Sequence, residues 1–122
     1  MKKQWSNFPG LHGERTVSLR RQAYLNNQRL AVEVIAHVDG MEVPYALVTR
    51  NFSDEPLSGP ECSFFDDNNY GYILEWMISE EICTLTGNFV ASGYCIYPEV
   101  AFDLNVLQDG EFRKGENPGK AA

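Results

Sequence analysis

Apolar and polar positions alternate most clearly between residues 30 and 38. There Leu30, Val32, Val34, Ala36 and Val38 recur at every second residue, with Glu33 and His37 on the other side. A two-residue period is that of a strand with one face buried. Asp39-Gly40 follows, a tight hairpin signal because Gly accepts the positive φ such a turn demands. A return strand is predicted from about Glu42 to Thr49, with Val43, Tyr45, Leu47 and Thr49 on one face. Pro44 lies inside it and cannot donate to a ladder, which favours a sheet edge or a bulge there.

Upstream, Val17 and Leu19 alternate with polar neighbours between Arg15 and Tyr24, predicting a first strand that ends at an Asn26-Asn27 turn. Residues 1–14 lack periodicity and contain Pro9-Gly10, so a loosely docked arm is expected, pinned by Trp5 and Phe8. Residues 51–61 read as a loop, and Cys62 to Phe65 as a short strand. Tyr70, Ile73, Leu74, Met77 and Ile78 then follow helical spacing, behind the candidate caps Asp66-Asp67-Asn68-Asn69. This predicts one amphipathic helix over about residues 70–81, with Glu75 and Ser79 near its polar face.

Two further strands are expected: Asn88 to Tyr97, interrupted by Pro98, and Glu99 to Val106 with Val100, Phe102, Leu104 and Val106 on one face. The polar stretch from Asp109 reads as a flexible tail. The expected architecture is α+β: a mostly antiparallel sheet of about five to six strands with the helix packed on one face. The domain occupies residues 15–108, between an arm (1–14) and a tail (109–122). At 122 residues the chain suits a single domain able to bury one core.

Charge is distributed very unevenly. Residues 1–29 carry six basic groups against Glu14, a net +5, and residues 30–112 carry only Arg50 against 15 acids, a net −14. The last ten residues add +2, for a total of −7, and no Lys or Arg occurs from Asn51 to Glu111. Such a surface repels nucleic acid, so direct nucleic-acid binding is not expected; a protein partner is, with a basic nucleic-acid-binding protein as one candidate. The chain lacks an apolar run approaching the roughly 20 residues of a membrane helix. Its start, Met1-Lys2-Lys3-Gln4-Trp5, has no apolar stretch behind the charges, so the expected location is the cytoplasm.

Candidate chemistry is sparse. Cys62, Cys83 and Cys95 form no C-x-x-C pair and read as small apolar residues near a core. His12 and His37 are the imidazoles available for a hydrolytic site, and Cys95 with His37 is the conceivable dyad. Asp66-Asp67 and Glu80-Glu81 are carboxylate pairs, better explained as a helix-capping loop and a solvated helix end. Phosphate loops, dinucleotide fingerprints and metal signatures are absent, so no cofactor and no catalytic residue is assigned. A surface displaying Tyr94 and Tyr97, together with Asp66, Asp67, Glu75, Glu80 and Glu81, is the candidate for binding.

Four segments occur in order: Asn27-Gln28-Arg29-Leu30-Ala31-Val32, Pro44 to Asn51, the Asp67-Asn68-Asn69 helix start, and Ser92-Gly93-Tyr94-Cys95-Ile96-Tyr97-Pro98. Together they resemble a small domain of unknown function found widely on conjugative elements of gut bacteria. The resemblance spans about two thirds of the chain and carries no activity with it. It implies an accessory protein of a mobile element. A non-enzymatic, protein-binding role is therefore expected. The alternatives are an acidic DNA mimic that inhibits a host nuclease, of the anti-restriction or anti-CRISPR type, and a small hydrolase or metal enzyme.

Overall fold

The computed structural model describes residues 3–10 and 13–110, apart from the Glu14 side chain. Strands β1 (Trp5–Gly10), β2 (Gly13–Ala23), β3 (Leu30–Val38), β4 (Met41–Leu47), β5 (Thr49–Arg50) and β6 (Cys62–Phe65) precede one helix, α1 (Asp67–Ser79). Strands β7 (Cys83–Ser92), β8 (Cys95–Phe102) and β9 (Gln108–Asp109) follow it. The class is α+β, with nine strands among the described residues rather than five or six. They form two sheets. One runs β1-β2-β3-β4 with β9 beside β2, and the other runs β5-β6-β8-β7. All pairings are antiparallel except β2 with β9.

The chain passes between sheets at Val48. Its N–H donates to the Val32 carbonyl at 3.1 Å, and its own carbonyl accepts from Asp66 N at 2.7 Å. Ser63 Oγ donates to the Leu30 carbonyl at 3.0 Å, a second tie across the same seam. The sheets thereby enclose one core with α1, built from Val17, Leu19, Val32, Val34, Phe65, Ile73, Met77, Val100 and Phe102 among others.

Residues 5–10, expected as a loose arm, are an edge strand instead. Pro9, opposite Glu14, lies on a strand that pairs only with β2, an edge position where a missing N–H is tolerated. Trp5 and Phe8 are buried, and both rings meet Trp76 of α1 edge-on, at 5.9 and 5.0 Å between centroids. Asn7 completes the joint, accepting from Trp76 Nε1 and donating to Glu80. Residues 111–122, which hold most of the expected tail, lie outside the described residues, but Asp109 pairs with Arg21 in β9.

The β3–β4 hairpin turns on Asp39 (φ 52°) and Gly40 (φ 81°), both in the region a two-residue turn requires. Pro44 sits on an edge strand beside a bulge, where Ile35 and Val34 face Pro44 and Ala46 and leave Tyr45 unmatched. In the earlier hairpin the left-handed residue is Gln28 (φ 63°), while Asn27 accepts from Arg29 N.

Helix α1 begins at Asp67, three residues before its apolar period starts. Asp66 caps it, accepting from Asn69 N, and Tyr70 is non-helical (φ −129°), so the first turn stands apart from the rest. The helix closes with two bonds, Glu81 N to Ile78 O and Ile82 N to Met77 O, around a left-handed Glu81 (φ 62°). This is the Schellman arrangement, with Glu where Gly is usual.

Residues 83–106 depart most from expectation. The run predicted as one strand over 88–97 is split by a hairpin turn at Gly93-Tyr94, with Ser92 facing Cys95 and Gly93 at φ 62°. Pro98 lies within β8, not at its end. Strand β6 pairs only with Glu99 to Ala101, so at Pro98 no ladder bond is lost on that side. Beyond Phe102, Asp103 caps a 3-10 turn (Leu104–Val106) whose Leu104 and Val106 still pack on the core.

Candidate functional site

Strand β8 alternates between two environments. Val100 and Phe102 face the core, whereas Tyr97 and Glu99 face outward and are covered by the 51–61 loop. Glu99 is only 1% exposed. Its Oε1 accepts from Thr86 Oγ1 (2.6 Å), Ser58 Oγ (2.8 Å) and Asn88 Nδ2 (3.0 Å), and its Oε2 from Ser58 N (2.7 Å). Thr86 and Asn88 reach it because β7 bulges between Leu85 and Phe89 around Gly87 (φ 98°).

Among the described residues no ion pair involves Glu99. Burial works to raise its pKa, but the hydrogen bonds from Thr86, Ser58 and Asn88 outweigh it and hold the carboxyl below its ordinary value. A carboxylate so engaged anchors a loop to a bulge and is poorly placed to take a proton from a substrate.

Beside it, the Arg50 guanidinium lies over the rings of Phe52 (5.5 Å) and Tyr97 (5.2 Å) and reaches the Tyr97 hydroxyl at 3.4 Å. The Cys95 thiol, hydrogen-bonded to that hydroxyl, is the first cause of a raised Tyr97 pKa. Tyr97 is therefore part of a covered aromatic cluster with Phe52 and Phe64, not of a displayed surface. Tyr94, by contrast, stands fully exposed at the tip of the β7–β8 hairpin.

Of the predicted acids, only Asp66 acts on a predicted tyrosine, its charge adding the smallest of the pushes that raise Tyr97. Asp66 is buried as the helix cap, Asp67 is in the first turn, Glu75 is exposed along α1, Glu80 accepts from Asn7, and Glu81 closes the helix. Among the described residues no cluster of three His, Cys, Asp or Glu has the arrangement of a metal site. Cys95 and His37 lie on different sheets and form no dyad, and His12 is outside the described residues. His37 Nε2 instead meets Ser18 Oγ at 3.0 Å. That hydroxyl is fully buried and is also held by Gln108 Nε2, so it lacks the access a nucleophile needs.

The remaining feature is apolar. Leu85, Phe89 and Ile96 are each more than half exposed. The register sets Leu85 opposite Val100, Phe89 opposite Pro98 and Ala91 opposite Ile96. These residues share the face of the sheet that Val100 presents to the core, and the hairpin carries this face past the cover of the core. Next to β7, two clefts open against the loop. One of about 330 Å³ is lined by Glu55, Pro56, Phe64, Gly87, Asn88 and Phe89. The other, of about 340 Å³, runs from Asn51–Glu55 to Val90–Ser92.

A family profile described as a domain of unknown function, DUF4313, matches residues 18–116. The chain belongs to the DUF4313 family. No curated protein and no solved structure matches it.

The match begins inside β2, so β1 lies outside the matched residues, although it supplies Trp5 and Phe8 to the core. Within the matched region, sequence reasoning missed the Glu99 anchor, the Ser18–His37 contact and the exposed hairpin face. Gly93 and Gly87, each with positive φ, were the signals that marked the turn and the bulge.

Proposed function

We propose that this DUF4313 domain is a non-enzymatic accessory protein of a mobile element of gut bacteria that acts in the cytoplasm by binding another protein. The observation that carries this reading is the exposed apolar face of the β7–β8 hairpin, with Leu85, Phe89 and Ile96 on one side and Tyr94 at the tip. Contiguous exposed apolar surface is costly in water and marks interaction sites. Aromatic residues at such sites supply much of the binding energy. The mobile-element setting rests on the resemblance of the four segments named above.

The test is affinity capture from an anaerobe lysate with the wild-type chain and with a Phe89→Ser/Ile96→Ser variant. A partner recovered by the wild type and depleted at least about tenfold by the variant supports the reading. Equal recovery by both overturns it, as does turnover of a substrate abolished by a single side-chain removal.

DNA mimicry is the second reading, favoured by the absence of Lys and Arg from Asn51 to Glu111. The exposed carboxylates sit on separate elements, among them Asp54 and Glu55 in the loop, Glu75 on α1 and Asp103 after β8. Capture of a nucleic-acid-binding nuclease, lost steeply with rising salt, is the outcome that would favour mimicry.

A further inference from the structure

Strand β7 ends its sheet, and among the described residues it is hydrogen-bonded on one side only, to β8. Its sequence, Cys83 to Ser92, contains neither charge nor Pro. Natural edge strands are commonly blunted by both. The other edge strands are blunted or short: β1 carries Pro9, β5 has two residues, and on β4, where Met41, Val43 and Leu47 are exposed, Pro44 and the bulge beside it interrupt the ladder. On β7 the bulge is confined to Thr86-Gly87-Asn88, and Phe89 to Ser92 continue in regular register.

The loop alongside this regular segment is acidic. Glu55 lines both clefts and Asp54 lines one, and no Lys or Arg lines either. Both residues are exposed, and among the described residues neither carboxylate has a hydrogen-bond or ion-pair partner. Arg50, the last basic residue before the basic-free stretch, is engaged over Phe52 and Tyr97. Apolar walls lie in the same clefts, from Pro56, Phe64 and Phe89 in one and Val90 in the other.

We infer that the occupant of this edge is an extended segment of a partner protein, with Lys or Arg among apolar residues, added as a further strand beside Phe89–Ser92. Strand addition takes its affinity from main-chain hydrogen bonds and its selectivity from pockets for alternate side chains. Here the cationic side chains face Asp54 and Glu55, and the apolar ones meet Phe89 and its neighbours. A second copy of this chain fits the edge less well, because it would bring an equally basic-free acidic loop to the same place. The inference rests on the protein-binding reading and specifies its chemistry.

The test is an NMR titration of the 15N-labelled full chain with a synthetic peptide of about nine residues alternating Val and Lys. Shifts are expected at residues 54–55 and 85–92. Dissociation constants should rise about three- to tenfold for Asp54→Asn/Glu55→Gln. Methylating alternate peptide nitrogens should raise them more than about tenfold, since the ladder bonds are lost. Shifts centred elsewhere, indifference to N-methylation, or equal binding of a Val–Glu peptide would each overturn the inference. If the Val–Lys peptide does not bind while Phe89→Ser/Ile96→Ser still loses a captured partner, the strand-addition inference falls and the protein-binding reading stands. Retention of the partner by that variant removes the reading itself.

Discussion

Thr86 Oγ1 donates a 2.6 Å hydrogen bond to Glu99 Oε1 from within the bulge of β7. The pair joins an irregular edge to a central strand, and Ser58 extends the join to the loop. Replacing Glu99 by Ala leaves four donors from three residues facing a void, at an expected cost of about 2–3 kcal/mol. Glu99→Gln should also destabilise, because its amide nitrogen would confront donors. Urea denaturation checks both, and an unchanged midpoint for Glu99→Ala would refute the anchoring role.

The same carboxyl sets a pH dependence. Its folded pKa lies below its ordinary value of 4.5, so its stabilising contribution is complete above that value. It is lost as pH falls through the lower folded pKa. The stability gap between wild type and Glu99→Ala should therefore hold steady from neutral pH to about 5 and close below 4.5. A gap that widens on acidification would contradict this.

Phe8 is fully buried between Tyr45 and Trp76, with ring centroids at 5.2 and 5.0 Å. Phe8→Ala should cost about 3–5 kcal/mol. Changed tryptophan emission should accompany the loss, because Trp76 also packs against Trp5. Loss of less than about 1 kcal/mol would mean that β1 is dispensable to the core.

Glu81 closes α1 in the left-handed region, where a side chain costs roughly 1–2 kcal/mol. Gly there relieves that strain but gains freedom in the unfolded chain, worth about 0.4–1 kcal/mol. Glu81→Gly is expected to raise stability by about 0.5–1 kcal/mol. Thermal unfolding checks the sign.

The three thiols should separate by reactivity. Burial pushes the Cys83 thiol up to about 12. Cys62 is raised as well, by burial first and then by Glu99 and Glu61. Cys95 alone is half-buried rather than buried. Alkylation of the folded protein at pH 8 should modify Cys95 first, with the other two following only in denaturant. Labelling of Cys83 at the rate of Cys95 would overturn this order.

Periodicity made β3, its Asp39-Gly40 turn and most of the apolar face of α1 legible, since each combines a clear period with a local boundary signal, but Ile78 is exposed and Trp76, outside the period, is buried. Periodicity could not separate β7 from β8, because the strand-like residues on both sides run through a two-residue turn that only Gly93 marks. Nor does alternation say which residues stay covered. Val100 and Ile96 occupy equivalent positions along β8, yet one is fully buried and the other mostly exposed, because the core lies over only one end of the strand. The Glu99 anchor was illegible for a different reason: its partners Ser58 and Thr86 lie 41 and 13 residues away.

The joint between β1 and α1 also bears on synthesis. Asn7 and Trp76 are 69 residues apart, so at roughly 5–20 residues per second the first strand waits several seconds for the helix it docks on. Throughout that interval Trp5 and Phe8 are without the ring that covers them, so this edge strand completes its packing only after Trp76 has been made.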